Sequence, residues 1–457
     1  MRFTTLARYT AFVCLAAGLC EASGGAASAG TPLIEALKRH DDKAFATVMK
    51  THPDVNKAQP DGATALSWAA YLNNDAAADE LLKAGAKVNV ADEYGETPLT
   101  LACANGNGPM VKKFLDAGAD ALAARWNGET ALMIASRAGS AEAVKALLAH
   151  GAKVDAADTK KGQNALMWAS AAGHADVVDA LIAAGAKPNV LSKSGFSPLI
   201  FAAQDGDAAT VASLVKAGAD VKYMAPQGGD ALMVAVMGSK DDAVKVLLDN
   251  GASVAVKDRQ GNTPLHIAAE LGDVNSVKML LAKGADANAK TNPAPPPRGR
   301  GAGGGFFFRI IGEQTPLMLA AKANHEDVMK ELVAAGADPK AKAQDGSTVL
   351  MAAASTGHVE IVQYAFQLDP DVATVTDDKS TVMHSAVNPG AMQTSTQPEI
   401  CKVVQFLADK GAPLDEKDAR GRTPIAIANV LPIDEAVTLL TKLIVATGKQ
   451  PQISGAR

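Results

Sequence analysis

The stretch Asp258 to Lys290, DRQGNTPLHIAAELGDVNSVKMLLAKGADANAK, decides the fold. It opens on a turn, Arg259-Gln260-Gly261. Thr263 then stands where its hydroxyl can accept from the first free backbone N–H groups of a helix. Pro264 takes the first helical position, where its missing donor costs nothing. The helix carries Leu265, Ala268 and Ala269 at i, i+3 and i+4, and is predicted to end near Gly272, which tolerates left-handed backbone. A second helix carries Val274, Val277, Met279, Leu280 and Leu281 and stops at Gly284, after which the chain runs extended into the next turn. Neither helix, at roughly two to three turns, is stable alone. The small alanines of the first helix admit close approach of a neighbouring copy, so the unit makes sense only when stacked.

The chain supplies the stack. The leucine of the T-x-L element recurs at Leu66, Leu99, Leu132, Leu166, Leu199, Leu232, Leu265, Leu317 and Leu350, in steps of 33, 33, 34, 33, 33, 33, 52 and 33. Met383 and Ile425 continue the series after steps of 33 and 42. The glycine closing the second helix keeps the same beat at Gly85, Gly118, Gly151, Gly185, Gly218, Gly251, Gly284, Gly336 and Gly411. Two independent landmarks on one period are the mark of a repeat array. A degenerate opening unit, Thr31 to Ala58, brings the expected number of units to twelve.

Thr263-Pro264-Leu265-His266-Ile267-Ala268 resembles the T-P-L-H-x-A signature of the ankyrin-repeat family. Thr97-Pro98-Leu99 and Thr315-Pro316-Leu317 keep its first half, while Met133, Met167, Met233, Met318 and Met351 stand where the family has His. The resemblance implies an all-α repeat solenoid of about twelve stacked helix-turn-helix units, its β-turn fingers projecting along one edge beside a concave face. It implies nothing about which partner is bound, because function lies in the site and not in the fold.

Residues 1–29 read as a cleaved signal peptide of the bacterial kind. Arg2 and Arg8 give a positive start, Tyr9 to Leu19 an apolar run, and Ala27-Ser28-Ala29 a cleavage site. The apolar run is too short to span a bilayer. The expected localisation is periplasmic or secreted, with no stable membrane insertion after cleavage. The solenoid is predicted over 30–448, with a tail at 449–457. Losing Arg2, Arg8 and Glu21 takes the net charge from −5 to −6 (42 basic minus 48 acidic residues), a poor starting point for nucleic acid. Cys103 and Cys401 lie eight units apart, too far for a disulfide.

Two insertions break the beat. Residues 291–313 replace a finger tip with a proline run, a glycine run and the apolar Phe306-Phe307-Phe308-Arg309-Ile310-Ile311. Residues 388–398 separate the two helices of the eleventh unit. The phenylalanines are unfavourable in water. Two readings of them stand open: a hairpin strand packed on this chain's own stack, or an arm that closes on a ligand.

The chemistry of catalysis is not assembled. His266 and His384 take the signature position, and His174, His325 and His358 the turns between helices, on separate layers. No nucleophile–base set, metal site or cofactor site is therefore expected. The five methionines hold one fixed position each and read as adaptable filler between layers. Trp68 and Trp168 are expected in the core.

What remains is surface. Tyr94, Trp126, Lys160, Lys161 and Phe196 flank turn glycines and point from the finger tips, free of duties in the fold. Arg298, Arg300, Phe306, Phe307, Phe308 and Arg309 of the insertion are expected on the same edge. These eleven residues are the candidate partner-binding set. The chain is thus read as a monomeric, exported, non-catalytic scaffold for an unidentified protein partner. The alternative is a small-ligand receptor, or an enzyme-associated inhibitor or effector, with 291–313 as its lid.

Overall fold

The computed structural model describes residues 31–295, 311–388 and 395–453. Among these residues it is built from twenty-four α-helices, with three isolated β-bridges and no longer strand. The predicted signal peptide and residues 296–310 of the larger insertion lie outside the described residues.

The chain divides into two compact units, residues 1–98 and 99–457. The first holds four helices, Pro32–Lys38, Asp42–Met49, Ala65–Tyr71 and Asp75–Lys83. The second holds the remaining helices in alternating short and longer members, such as Pro264–Leu271 followed by Val274–Ala282. Within it, first helices pack on first helices of the next pair, and second helices on second helices. Contacts run between neighbours in the series, as a linear array requires.

Each first helix starts from a fixed cap. The side chains of Thr130, Asn164, Ser197, Asp230, Thr315 and Thr348 accept the N–H three residues on. All are short polar side chains that supply the acceptor a helix start lacks. The leucine two residues later is fully buried at Leu132, Leu166, Leu232, Leu265 and Leu317, and Met133, Met167, Met233, Met318 and Met351 are buried beside it as expected. Alanines at 268 and 269 are wholly buried, which permits the close approach of helix layers.

His266 shows why the signature residue suits its place. The Thr263 backbone N–H donates to His266 Nδ1 at 3.1 Å, and the Thr263 hydroxyl lies 2.8 Å from the same nitrogen. Nδ1 is therefore unprotonated, and Nε2–H donates across to the Gln314 carbonyl at 3.0 Å. His384 repeats the arrangement with Thr381 and the Arg422 carbonyl, at 3.1 Å for both outer bonds. Burial, the largest influence on each, pushes both imidazoles below their ordinary value of 6.5. As pH falls below about 6.5 the unfolded chain takes the proton first, so this stability is present above that value and is lost on acidification. His266→Met, the residue used at the equivalent Met233, is expected to cost about 1 kcal/mol at pH 7.5. It is also expected to flatten the fall of Tm between pH 6.5 and 5, and an unchanged Tm–pH profile would refute this role.

Neighbouring units are also bridged by asparagine. Asn189 Nδ2 donates to the Gly218 carbonyl at 2.9 Å, and its Oδ1 accepts the Asp220 N–H at 2.9 Å. Asn288 does the same with Gly336 and Asp338, at 3.0 and 2.7 Å. At the C-terminal side, residues 449–453 are not a loose tail. Gly448 turns left-handed (φ 79°), Lys449 pairs with Asp415 at 2.9 Å, and the Gln452 carbonyl accepts the Thr423 hydroxyl at 2.9 Å.

Both insertions are anchored at their described ends. Thr291 N–H donates to the Gln314 carbonyl at 3.0 Å, and Gln314 N–H to Thr291 Oγ1 at 3.0 Å, so the two residues flanking the insertion pair with each other. The smaller insertion ends earlier than predicted. Gln397 and Pro398 already form the first turn of helix Gln397–Asp409, because Thr396 and Glu399 make a capping box that starts it there.

Candidate functional site

The fingers are tight turns with one design. In the finger 258–262, Asp258 folds inward: its Oδ1 accepts the N–H groups of Gln260 and Asn262 at 2.8 Å each, and Gly261 N–H closes on the Asp258 carbonyl at 3.0 Å. Asp158 does the same for Lys160, Lys161 and Gln163, at 2.9, 2.5 and 2.8 Å. The carboxylates are spent inside the turns, and the residues between them and the glycine project outward.

That geometry places the predicted finger residues as follows. Trp126 is 78 % exposed, on a finger held by other groups: the Arg125–Glu129 pair at 2.9 Å and the Asn127 side chain, which accepts the Glu129 N–H at 3.1 Å. Its ring is not laid on a neighbouring finger. In the first unit Tyr94 is 57 % exposed, with Asp92 Oδ1 accepting its N–H at 2.9 Å. A hydrogen bond with the Glu93 side chain and the charge of that group raise the Tyr94 hydroxyl above its ordinary value. Lys160 and Lys161 are exposed.

Phe196 departs from the expectation. It is half-buried, edge-on to Phe201 with ring centroids 6.0 Å apart, so it fills the angle between its finger and the following helix. Arg298, Arg300, Phe306, Phe307, Phe308 and Arg309 lie outside the described residues.

Trp68 and Trp168 are half-buried, not core. They occupy the fourth position after the caps Thr64 and Asn164. Trp68 donates its indole N–H to Gln59 Oε1 at 2.9 Å, with Lys38 Nζ 4.5 Å from the ring centroid. Arg137 lies over Trp168 at 4.8 Å. Such cation–aromatic stacking adds about 0.5–1 kcal/mol at exposed sites.

Two residues of the finger tips carry contacts that the sequence does not announce. Lys193 lies across Gly162 of the preceding finger and donates Nζ to the Thr159 carbonyl at 2.5 Å. Arg259 lies across Gly228 and donates to the Pro226 carbonyl. Thr159, Pro226 and Asn292 take the same place over Gly128, Gly195 and Gly261. Thr159, Lys193, Pro226 and Arg259 share one place, two or three residues before their own turn glycines Gly162, Gly195, Gly228 and Gly261.

Nothing resembling a reaction centre accompanies this surface among the described residues. No group of three His, Cys, Asp or Glu side chains is placed to hold a metal ion. His174 and His325 each start a second helix and set Nε2 within 3.1 and 3.2 Å of a carbonyl of the preceding unit, from Arg137 and Glu270. A shallow polar pocket of about 360 Å³ beside His325 and Gly272 lies at these helix turns, away from the fingers. No helix among the described residues is long and apolar enough to cross a membrane.

A family model described as ankyrin repeats (3 copies) matches residues 25–124, 105–192, 199–291 and 317–412, well over half of the chain. The chain belongs to the ankyrin-repeat family. Comparison with curated proteins gave no match. Ankyrin repeats generally mediate protein–protein interaction, and typically as scaffolds rather than catalysts. The fingers and helix pairs described above are those of an ankyrin array.

Proposed function

We propose that this ankyrin protein is exported and acts as a non-catalytic scaffold that binds a protein partner through its finger tips and the adjoining first-helix face. The observation that carries the reading is Trp126, an indole 78 % exposed on a finger whose geometry it does not maintain. A large apolar ring kept in water at no benefit to the fold is the kind of residue that anchors contacts. The test is affinity capture from envelope extract by the purified mature chain. A partner retained by the wild type and lost with Trp126→Ser, at unchanged Tm, is the expected result. Equal capture by both chains would refute the role of Trp126.

Export rests on the composition of residues 1–29. Protein recovered from the envelope is expected to begin at Gly30, and a cytoplasmic product beginning at Met1 would refute export. The insertion bears on the alternative of a small-ligand receptor. Removing 293–308 leaves Thr291 and Gln314 free to pair as they do now, so Tm is expected to hold. Capture lost at constant Tm assigns the insertion to binding; capture kept with a lowered Tm assigns it to the fold.

A further inference from the structure

We infer that Asn127–Gly128 is a site of self-modification, where the Asn127 carboxamide converts to aspartate and isoaspartate and recasts the finger that carries Trp126. The chemistry stands apart from the binding role proposed above, and only its effect on capture rests on that role.

The chain holds four Asn-Gly pairs, at 105–106, 107–108, 127–128 and 250–251. Glycine leaves its backbone nitrogen unhindered, so that nitrogen can close a five-membered ring on the preceding asparagine side chain. The structure separates the four. Asn250 turns its carboxamide back along its helix, Nδ2 donating to the Val246 carbonyl at 2.8 Å, away from the Gly251 nitrogen. Asn107 caps helix Gly108–Asp116, its Oδ1 accepting the Met110 N–H at 2.9 Å, and Gly108 is buried against Glu142. Asn105 prolongs helix Pro98–Ala104, donating its N–H to the Leu101 carbonyl at 3.1 Å, and ring closure there must unwind that turn.

Asn127 lies outside any helix, in the finger closed by the bridge between Ala124 and Thr130. Its Oδ1 accepts the Glu129 N–H at 3.1 Å, which folds the carboxamide over the Asn127–Gly128 peptide itself. The reacting groups are thereby held together within one small turn. Hydroxide takes the Gly128 N–H proton, the nitrogen attacks Asn127 Cγ, and the C=O electron pair moves onto Oδ1. The Glu129 N–H faces that oxyanion and stabilises it. The oxyanion collapses, the bond to Nδ2 breaks, and ammonia leaves with a proton from water. A second water opens the imide at either carbonyl, so the sum is one water consumed and one ammonia released.

Both products set a new negative charge beside Trp126. In isoaspartate the chain runs through the former side chain, one methylene longer, and the former Asn127 carbonyl becomes a pendant carboxylate. In the unmodified chain that carbonyl accepts the Thr159 N–H at 3.3 Å and the Thr159 hydroxyl at 2.8 Å, so the seat of this finger against the next is remade.

The purified mature chain is held at mildly alkaline pH and sampled over days. Peptide mapping, with enzymatic methylation as the probe for isoaspartate, is expected to find product at Asn127 about tenfold faster than at Asn105, Asn107 or Asn250. In denaturant the four sites are expected to react at similar rates, because the preference belongs to the fold. Asn127→Gln, whose ring would be six-membered, is expected to remove the product. Faster reaction at another pair, equal rates at all four in the folded chain, or no product at Asn127 while the denatured chain reacts overturns the assignment. Capture of the envelope partner is expected to fall in step with the unmodified fraction, with circular dichroism melting to show that the aged chain stays folded. Capture kept by the aged chain and lost with Trp126→Ser overturns the recasting of the finger. Capture equal in Trp126→Ser and wild type overturns the binding role, while the mapping still decides the chemistry.

Discussion

Gly261→Val is expected to destabilise the protein by about 3 kcal/mol or more, while Gly284→Val costs about half as much. The two glycines have almost the same backbone, φ 84° and 85°, a region that β-branched residues enter only under strain. Their surroundings differ. A Cβ at Gly284 would meet nothing within 4 Å, whereas one at Gly261 would lie 2.3 Å from the backbone nitrogen of Asn292. That nitrogen donates to the Gln260 carbonyl at 2.8 Å, so the added carbon must push one finger off the next and break the bond between them. Denaturant unfolding of both variants measures the difference. Hydrogen exchange at Asn292 should show that the extra loss is local to the two fingers. Equal losses at the two sites would show that backbone strain alone sets the cost.

The second large effect has the opposite sign. Asp230→Thr is expected to stabilise the protein by about 2 kcal/mol at pH 7.5 and to change little near pH 4. Asp230 caps helix Ala231–Met237, its Oδ1 accepting the Met233 N–H at 2.8 Å, but it is only 1 % exposed. Burial outweighs the backbone hydrogen bonds and pushes its carboxyl from 3.8 to about 6. A raised native pKa means that the native state holds the proton that the unfolded chain releases. Stability from this group is therefore complete below about 3.8 and is lost as pH rises through 6. Threonine performs the same capping at Thr130, Thr315 and Thr348 with no charge to bury. Because His266 and His384 lose stability toward acid, the comparison is between variant and wild type at each pH, where those contributions cancel. A constant difference from pH 4 to 7.5 would show that the Asp230 charge is not what matters.

Much of the array was legible because the information is local. The beat of Leu132, Leu166 and Leu199, the left-handed glycines and the buried methionines each express a requirement of one unit, and each is found where the period places it. What stayed hidden depends on atoms about 33 residues away. Nothing near Lys193 announces that its stem crosses Gly162. Phe196 is the exception, half-buried against Phe201 only five residues on. Trp68 and Trp168 read as core because they lie at or beside the signature position on first helices, yet both are half-buried. Trp126 was read as a finger-tip residue from its place beside the turn glycine Gly128, and its ring is 78 % exposed. The charge on Asp230 escaped notice because Asp is an ordinary cap on an exposed helix, and only burial makes it costly.

The leaning of each finger on the one before it gives the array an arrow. Thr159, Lys193, Pro226, Arg259 and Asn292 each shield the turn glycine of the finger before them. Clipping the array between two fingers is consequently an unequal injury to its halves. The upstream piece is left with a bare turn, its glycine and carbonyls open to water and to proteases. The downstream piece loses no cover, keeping only a side chain with nothing to rest on.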